Sequence, residues 1–431
     1  MSELVPKGWS AISIREVANP EDRYSFTGGP FGSNLKNEDY TETGVRIIQL
    51  QNIGDGRFLN KYKIYTSNEK ADELKSCNIY PNDIILSKMG DPVARATIIP
   101  SFHNRYLMAS DGIRLSIDKL RFDTKFIHDV INSNYFRGQA ELNSTGTTRK
   151  RIGLTELREL SLLAPPLPEQ QKIATILTSV DEVIEKTEAQ INKLQDLKKG
   201  MMQELLTKGV GTNGVPHTEF KDSPVGRIPK GWEVAKTGEV ARSIVPGRNK
   251  PKSLDGDIPW ITISDIDGLY LNESKSGLGV ARQVLSEAGG KTVPKDSVIM
   301  TVVGEFGVSA IANRELVINQ QLHGFICSEK IYPAFLCLWL RFQKHQIEKL
   351  ATQTTISYVN KENAESVFLP LPPVNEQVEI SNSIIGTDNL IKKRESKLRS
   401  LTGLKKALMQ DLLTGKVRVK INQNEKEAVM G

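Results

Sequence analysis

The chain has 431 residues, of which 39% are hydrophobic and 25% charged, and its formal net charge is +6 at pH 7. A globular chain of this length exceeds one ordinary hydrophobic core, so we expect two or more domains. The charge is a mild bias toward a polyanionic partner, since stand-alone nucleic-acid-binding proteins are usually more basic. No apolar run approaches the roughly 18 residues of a membrane helix, and the N-terminal sequence has no secretion signal, which predicts a cytoplasmic protein.

The first predicted domain covers residues 1–167. Short β-branched runs such as RIIQL and DIILS are separated by Gly, Asn, Asp and Pro residues, a pattern that is typical of strands and turns. The later stretch DTKFIHDVINSNYFRGQAEL has the pattern of a helix. We therefore predict a mixed α/β (α+β) domain.

A proline-free segment after the sequence PPLP predicts a long helix over residues 168–208. Its apolar positions alternate in steps of four and three residues, with Thr187 and Lys198 completing the alternation: Ile173, Leu177, Val180, Ile184, Ile191, Leu194, Met201 and Leu205. A period of 3.5 over about five heptads indicates a coiled-coil seam, because a helix that faces only its own domain drifts toward 3.6. The alternative is an amphipathic helix that packs on its own domain. A Gly-rich linker follows over residues 209–227.

The second predicted domain covers residues 228–374, where runs such as WITIS and SVIMTVV precede the helical stretch YPAFLCLWLRFQKHQIEKLA. A second long helix is predicted over residues 375–415, with a seam of the same period at Ile380, Ile384, Ile391, Leu398, Leu401, Leu408 and Leu412. Residues 416–431 form a C-terminal tail. The order of elements in the first half of the chain thus recurs in the second half.

The two halves are copies of one another. The segment LKKGMMQELLTKGV begins at Leu197 and LKKALMQDLLTGKV begins at Leu404, 207 positions later. VPKGW returns as IPKGW and APPLPEQQKI as LPPVNEQVEI, whereas the middles of the two domains diverge. A tandem repeat with shared edges and divergent interiors indicates one scaffold that carries two different contact surfaces.

Chain connectivity predicts how the two long helices pair. A parallel pair would place both domains at one end and strain the linker, so we predict an antiparallel coiled coil with pseudo-two-fold symmetry and a domain at each end. About 38 helical residues at 1.5 Å each would form a rod of roughly 57 Å. DNA sites one to one-and-a-half turns apart are separated by roughly 35–50 Å, so the rod has the dimensions of a spacer.

This arrangement resembles the specificity (S) subunits of type I restriction-modification systems. The segments that carry the resemblance extend over nearly the whole chain: IPKGW, GGPFGSNLK, LPEQQKIATIL, KKGMMQELLTKG and the linker HTEFKDSPVGRIPKGWE. The second domain departs from the pattern, because VPGRNKPKS matches GGPFGSNLK only weakly.

The resemblance implies a DNA-recognition subunit without catalysis of its own. Each domain would be a target-recognition domain that reads one half of a split sequence in double-stranded DNA. The helices would set the spacing between the halves and dock two adenine-N6 methyltransferase (M) subunits, whose cofactor is S-adenosylmethionine. Restriction (R) subunits, a further partner, would use ATP and Mg²⁺ to translocate and cleave unmodified DNA. For this chain the resemblance implies no cofactor and no metal.

Motifs for such chemistry are missing from the sequence. AGGKT lacks the first glycine of a phosphate loop, since Leu285 stands in its place. Five scattered histidines and three cysteines (Cys77, Cys327 and Cys337) form no metal-ligand spacing. A self-contained nuclease or methyltransferase is therefore disfavoured. Two alternatives stay open: a non-catalytic coiled-coil scaffold, and the specificity subunit of a methyltransferase-only or other split-site modification system.

Candidate DNA-binding residues follow from side-chain chemistry, since Arg, Lys, Asn and Gln read base edges whereas Lys, Arg, Ser and Thr bind phosphates. The densest candidate segment of the first domain is TTRKRI, with a solvated basic loop as the alternative. The candidates of the first domain are Lys36, Gln49, Gln51, Lys88, Arg95, Thr147, Thr148, Arg149, Lys150 and Arg151. Those of the second domain are Arg248, Lys250, Lys252, Thr262, Arg282, Thr354 and Thr355.

Overall fold

A computed structural model describes residues 5–211, 215–247, 249–352 and 357–421. The chain forms two compact units, which divide between Glu188 and Ala189 and again between Glu395 and Ser396. Unit one therefore contains the first domain, the first half of one long helix and the second half of the other. Unit two contains the second domain and the remaining halves of both helices.

Unit one contains short strands and helices that lead into the first long helix. Its strands are β1 (Ser10–Ser13), β2 (Phe26–Gly28), β3 (Tyr40–Thr41), β4 (Val45–Ile48), β5 (Ile64–Thr66), β6 (Asn78–Ile79), β7 (Ile84–Ser87), β8 (Ala96–Ile98), β9 (Tyr106–Met108), β10 (Gly112–Leu115) and β11 (Ser161–Ala164). Its helices are α1 (Asn68–Glu73), α2 (Thr124–Ile131), α3 (Asn134–Leu142), α4 (Leu154–Arg158) and α5 (Leu167–Lys208), which continues into unit two. The Asp123 side chain accepts the backbone N–H of Phe126 at 2.8 Å, an N-cap that sets the start of α2.

Two sheets form the body of unit one. One is antiparallel with the strand order β2-β10-β7-β8, and the other has the order β3-β5-β4-β9-β6, in which β4 and β9 are parallel. The inner strands β7 and β10 are buried along their whole length, which suits their β-branched and leucine-rich sequences. Phe126 of α2, Phe136 of α3 and Ile173 of α5 belong to the core that covers the first sheet.

Unit two repeats this plan with additional short strands. Its strands are β12 (Phe220–Ser223), β13 (Gly226–Pro229), β14 (Glu233–Lys236), β15 (Ala241–Ile244), β16 (Ile258–Ile261), β17 (Tyr270–Leu271), β18 (Gly279–Val280), β19 (Val298–Thr301), β20 (Ser309–Ala312), β21 (Val317–Ile318), β22 (Leu322–Cys327) and β23 (Phe368–Leu371). Its helices are α6 (Thr237–Val240), α7 (Arg282–Glu287), α8 (Pro333–Phe342), α9 (Lys344–Leu350), α10 (Lys361–Glu365) and the long α11 (Val374–Leu413), which continues into unit one.

The sheets of the two units match strand by strand. The order β15-β22-β19-β20 in unit two repeats the order β2-β10-β7-β8 in unit one, and β14 pairs with β23 as β1 pairs with β11. Unit two adds β17 at the end of its main sheet. Its small sheet β18-β16-β21 is a shorter counterpart of the second sheet of unit one, since β16 and β21 are parallel as β4 and β9 are. The predicted fold class, two similar mixed α/β bodies each followed by a long helix, is confirmed.

The two long helices pack against each other inside each unit. In unit one, Ile173 near the start of α5 shares a core with Leu412 near the end of α11. In unit two, Leu206 near the end of α5 shares a core with Ile380 near the start of α11. Within each unit the two helices therefore run in opposite directions, which is the predicted orientation. The predicted seam positions of both helices are buried or half-buried.

Matched ion pairs link the helices. Lys405 Nζ lies 2.6 Å from Asp181 Oδ1 in unit one, and Lys198 pairs with Asp388 in unit two. Both the lysines and the aspartates stand 207 positions apart in the chain. The sequence repeat therefore forms the same contact twice.

A buried glutamine near the start of each long helix anchors the neighbouring helix. Gln170 Oε1 accepts Asp123 N at 3.0 Å at the start of α2, and Gln377 Oε1 accepts Tyr332 N at 2.8 Å at the start of α8. These contacts align α2 with α8 at an offset of 209 positions. The long helices begin and end within two residues of the predicted ranges of 168–208 and 375–415. Across the described ranges, no helix has the length and apolar character needed to cross a bilayer.

Candidate nucleic-acid interface

Three loops of unit one meet at one edge of the sheet β2-β10-β7-β8. Neighbouring strands are antiparallel, so β2 and β7 end at the edge where β10 and β8 begin. The loops 29–36, 88–95 and 109–111 therefore emerge side by side, and Lys88 N donates to Asp111 O at 2.8 Å. We call these three loops, with residues 144–152, the edge loops of unit one.

The segment TTRKRI is tied to this edge by backbone hydrogen bonds. Ile152 N donates to Lys88 O at 2.9 Å, and Gly90 N donates to Lys150 O at 3.1 Å. Its exposed residues are Thr147, Thr148, Arg149 and Arg151. The structure thus brings the densest predicted segment next to Lys88, a candidate from a distant part of the sequence.

Lys88 and Arg151 form a cationic cluster beside one acidic side chain. Arg151 Nη2 lies 2.9 Å from Asp111 Oδ1, and Lys88 Nζ donates to Ser110 O at 3.3 Å. Burial lowers the pKa of Lys88, and the nearby positive charge of Arg151 lowers it further. A Cβ at Gly28 would lie 2.7 Å from Lys88 Nζ, so the glycine leaves room for this amine. Such cationic donors bind phosphates and guanine.

The other candidates of unit one lie on or beside the edge loops. Arg95 Nη2 donates to Leu50 O at 3.5 Å, between the candidates Gln49 and Gln51, whose side chains are hydrogen-bonded to each other at 2.7 Å. Lys36 is exposed on the loop 29–36. All these residues stay predictions as DNA contacts, and what the structure adds is that they share one surface.

Sequence reasoning missed an exposed aromatic ring on the same surface. Phe31 is 82% exposed on the loop 29–36, next to Gly29, where a Cβ would lie 1.9 Å from Ala109 O. The close approach of the loops thus depends on a glycine, and the Gly-Pro-Phe-Gly sequence was the available signal. Exposed aromatic rings on a polar loop stack on bases or insert between them in many nucleic-acid-binding proteins.

The matching edge of unit two has the same backbone plan. β15 and β19 end where β22 and β20 begin. Val302 N donates to Gln321 O and Val359 N donates to Val302 O, each at 2.9 Å, as Lys88 N and Ile152 N do in unit one. The two edges therefore carry different side chains on one backbone scaffold.

Three predicted residues of unit two lie on segments next to this edge. Thr262, at the end of β16, has its hydroxyl 2.8 Å from Asp265 Oδ2. Lys250 and Lys252 are exposed on the loop that follows β15. These three candidates lie on segments that adjoin the edge.

The structure does not bring Arg282 to the edge. Arg282 lies in α7 and its Nη2 is 2.6 Å from Glu315 Oε2. Glu315 precedes β21, whereas the loop that belongs to the edge follows β21. Arg282 was chosen as a candidate for its charge alone, and the charge of a residue does not show which way its side chain points. Three further candidates lie outside the described residues: Arg248, Thr354 and Thr355.

Three amide side chains on the edge of unit two were also missed. Asn319, Gln320 and Gln321 form the loop before β22, and the two glutamines are exposed. Asn319 Nδ2 donates to Gln321 Oε1 at 3.0 Å, and Gln320 Nε2 donates to Gly247 O at 3.3 Å. The available signal was an Asn-Gln-Gln run directly before a buried strand, where the first domain has Asp111.

Both long helices expose apolar side chains at matched positions. Val183, Leu197, Leu390 and Leu404 are 39%, 53%, 51% and 50% exposed. Val183 matches Leu390 and Leu197 matches Leu404 at the repeat spacing of 207 positions. Unit one therefore presents Val183 from α5 and Leu404 from α11, and unit two presents the other two. A single exposed leucine needs no explanation, but a set that recurs with the repeat indicates a surface used twice.

The polar groups of the two edges suit binding. Within the described ranges, no three His, Cys, Asp or Glu side chains are grouped so that they could hold a metal ion. Burial raises the pKa of Cys327 to about 12, so its thiol is protonated at neutral pH and is a poor nucleophile. The exposed lysines, arginines and amides are instead hydrogen-bond donors and acceptors for a ligand with many polar edges.

Comparisons with known proteins cover nearly the whole chain. The profile of a family described as the type I restriction modification DNA specificity domain matches residues 6–196 and 229–400. The chain is 27% identical to a protein named as the MjaX type I restriction enzyme specificity subunit of Methanocaldococcus jannaschii, with 96% of this chain and 95% of that protein covered. It is 21% identical to the EcoBI type I restriction enzyme specificity subunit of Escherichia coli, with 98% of this chain and 89% of that protein covered.

A solved structure has the same fold. The S subunit of a type I restriction-modification system from M. genitalium aligns with a TM-score of 0.57 at 15% identity, with 96% of this chain and 97% of that chain covered. At this identity the likeness concerns the fold. It extends over both halves of the repeat.

Proposed function

Because the chain belongs to the type I restriction-modification DNA specificity family, we propose that it is the subunit that reads a split sequence in double-stranded DNA. Residues 1–167 and 228–374 are then the two target-recognition domains, each of which reads one half of the sequence through its edge loops. Residues 168–208 and 375–415 are the spacer helices, joined through the linker 209–227. The tail 416–431 follows the second helix.

One observation carries this proposal. The two units repeat the same sheet edge and the same backbone hydrogen bonds, yet one edge presents Lys88 and Arg151 where the other presents Val302 and Tyr358. A common scaffold with unlike side chains is the arrangement expected of two domains that bind chemically similar ligands of different sequence. DNA half-sites fit this description, since their backbone is constant and their base edges vary.

The helices, in this proposal, set the distance between the half-sites and dock two adenine-N6 methyltransferase subunits. The exposed apolar pairs Val183 with Leu404 and Leu197 with Leu390 support two equivalent docking sites. S-adenosylmethionine then belongs to the methyltransferases, and ATP with Mg²⁺ to the restriction subunits that bind through them. This chain contributes recognition and assembly and no catalytic group.

The test maps methylated adenines in a host that lacks other adenine methyltransferases. The full chain is expressed with its methyltransferase partner, and methylated positions are identified by sequencing. We expect a motif in two blocks separated by unread positions. Replacing the first domain by that of another specificity subunit should change one block, and replacing the second domain should change the other.

Lys221→Ala, an exposed position in the segment between the first helix and the second domain, is the control and should leave the motif unchanged. An unbroken motif would contradict the proposal, and so would two blocks that change together when one domain is exchanged. The scaffold alternative predicts no sequence preference at all, with Arg149→Glu and Arg151→Glu leaving the behaviour of the chain unchanged.

A further inference from the structure

An apolar pocket opens on the edge of unit two. Its volume is about 420 Å³. Most of its lining is apolar, from Val245, Val302, Val303, Tyr358 and Val359, and its polar lining residues besides Gln320 are His323, Asn360 and Lys361. Gln320, one of the exposed amides, lies at the same pocket. An apolar cavity beside exposed amides is unusual on a surface that binds a polyanion.

His323 is the buried polar group of this pocket. His323 is 6% exposed, and its Nδ1 has no hydrogen-bond partner within the described part of the chain. Burial lowers the pKa of His323 to about 4, against a small opposing effect of Glu365, so the imidazole is neutral at physiological pH. A neutral ring among valines favours an uncharged ligand group over a phosphate.

The same place in unit one is cationic. Strand register aligns Val302 with Lys88, because each follows the central strand and donates to the edge loop. Tyr358 aligns with Arg151, since Val303 bridges Tyr358 as Met89 bridges Arg151. Two cations of unit one are therefore replaced by a valine and a tyrosine in unit two.

The different side chains at these positions favour different bases. In the major groove, Lys and Arg pair with the O6 and N7 acceptors of guanine, whereas Gln pairs with N6 and N7 of adenine. Thymine alone presents a methyl group there, which makes contact with apolar side chains. A pocket of valines flanked by a glutamine amide thus matches the two features of one A·T pair.

We propose that unit two reads an A·T base pair, with Gln320 binding the adenine and the valine pocket receiving the thymine C5-methyl group. This inference rests on the proposed function and names the base chemistry of the second half-site. Gln320 is the specificity-determining residue, and Tyr358 and Val302 shape the methyl site. In the free chain Gln320 Nε2 donates to Gly247 O at 3.3 Å, and DNA binding redirects this side chain to the adenine edge.

The first experiment removes single methyl groups from DNA. The full chain with its methyltransferase partner selects bound duplexes from a random pool, and each thymine of the selected site is then replaced by deoxyuridine. One replacement in the second half-site should weaken binding about fourfold, the amount expected for one buried methyl group. Deoxyuridine in the unread spacer is the control and should have no effect.

The second experiment changes the protein at two exposed positions. Gln320→Ala should lower affinity for the selected site about tenfold and relax selection at one A·T position. Tyr358→Arg, which copies Arg151 of unit one, should shift selection at that end toward G·C. Arg151→Tyr is the matched control and should change only the first half-site. Circular dichroism checks that the variants stay folded.

This inference would be overturned if every deoxyuridine duplex bound equally well and Gln320→Ala selected an unchanged motif. The proposed function would stand in that case, provided that the motif is still bipartite. Failure of the wild-type complex to select any sequence would overturn both.

Discussion

In unit one the carboxylate of Glu169 binds an arginine of the C-terminal tail, whereas in unit two the matching Glu376 binds backbone N–H groups, an indole and the imidazole of His217. Arg418 Nε and Nη2 donate to the two oxygens of Glu169 at 2.7 Å each. Trp232 Nε1 donates to Glu376 Oε2 at 2.9 Å, and Gly211 N donates to Glu376 Oε1 at 3.1 Å. Both carboxylates are buried at the start of a long helix, yet their partners come from different parts of the chain.

A sequence repeat thus retains the buried carboxylate while its hydrogen-bond partners differ between the two units. A carboxylate taken out of water needs hydrogen bonds or an opposite charge. One unit uses an arginine that remains partly in solvent, and the other uses backbone N–H groups, the Trp232 indole and the His217 ring. The same residue should therefore contribute differently to the stability of the two units.

A second contrast lies where each domain meets its helices. In unit one, Lys125 Nζ is 2.6 Å from Asp129 and 2.9 Å from Asp181 of α5. The glutamine-anchored alignment of α2 with α8 places Ala334 at the position of Lys125. Around Asp388, the match of Asp181, unit two instead has an open groove of about 560 Å³. Its lining combines apolar side chains with charges of both signs: Met202, Phe342, Ile391, Lys198, Lys199, Arg341, Lys392, Asp388 and Glu395.

The largest effect is expected where the units are alike, on the outer surface of the helices. Val183→Asp with Leu404→Asp should remove one methyltransferase, and Leu197→Asp with Leu390→Asp the other. Each pair should weaken docking by about 4 kcal/mol, because exposed carboxylates resist desolvation at an interface. Light scattering of the purified complex gives the stoichiometry.

For this docking test, Lys186→Ser with Lys393→Ser is a matched control on the same helices, and it should retain two methyltransferases. Retention of both partners by either aspartate pair would show that docking uses another surface. Unequal losses would show that the two sites are not equivalent.

The next largest effect is expected from the two buried carboxylates, which should contribute unequally to the stability of the two units. Glu376→Ala should lower the free energy of unfolding of unit two by about 3 kcal/mol, because Trp232 Nε1 and Gly211 N lose their acceptor in a buried place. Glu169→Ala should lower that of unit one by about 1 kcal/mol, because the exposed Arg418 is rehydrated. Amide hydrogen exchange resolves the two units, and equal losses would remove the contrast.

Acid should weaken unit two through His323. The pKa of this histidine is lowered from 6.5 to about 4 by burial. Between about pH 6.5 and pH 4 the ring is therefore protonated in the unfolded chain and neutral in the folded unit. Stability is therefore full above pH 6.5 and falls as the pH drops toward 4, by about 2 kcal/mol between pH 7 and pH 5. His323→Ile copies Ile113, its register partner in unit one, and should flatten this part of the pH profile. An unchanged profile in the variant would assign the pH dependence to other groups.

The smallest effect concerns the contact between domain and helix. Burial alone would raise the pKa of Asp129, but His128 and Lys125 together lower it below its usual value. Lys125→Met should therefore raise the pKa of Asp129 and lower the stability of unit one by about 1.5 kcal/mol. Lys198→Met should have less effect, since its partner Asp388 is half-buried and can be hydrated. Chemical denaturation compares the variants, and a larger loss for Lys198→Met would reverse the contrast.

The fold was predictable because its signals are periodic or local. β-branched runs between turn residues marked β4, β7, β16 and β19, and a period of 3.5 marked both long helices. The antiparallel direction followed from connectivity, since a short linker joins the end of one helix to the next domain. These features can be recognised in the sequence without knowing which distant residues are in contact.

The candidate site was predictable only in part, because it forms from loops that meet through long-range strand pairing. Lys88 and Arg151 were found from their charge, although their proximity depends on backbone hydrogen bonds between residues 150–152 and residues 88–90. Gln320 and Gln321 were missed because an amide run in a loop has no period and no charge. Arg282 was included on charge alone, and its pairing with Glu315 away from the edge could not be read from composition.

The division of the chain into units has a consequence for its synthesis. Unit two is one continuous stretch, Ala189–Glu395, whereas unit one needs residues from Ser396 onward to complete its core. On the ribosome the N-terminal domain emerges first, yet Ile173 and Leu177 wait for Leu412 to cover them. Unit two can therefore complete its core before unit one does, and the apolar side chains of Ile173 and Leu177 stay uncovered until the residues from Ser396 onward have been made.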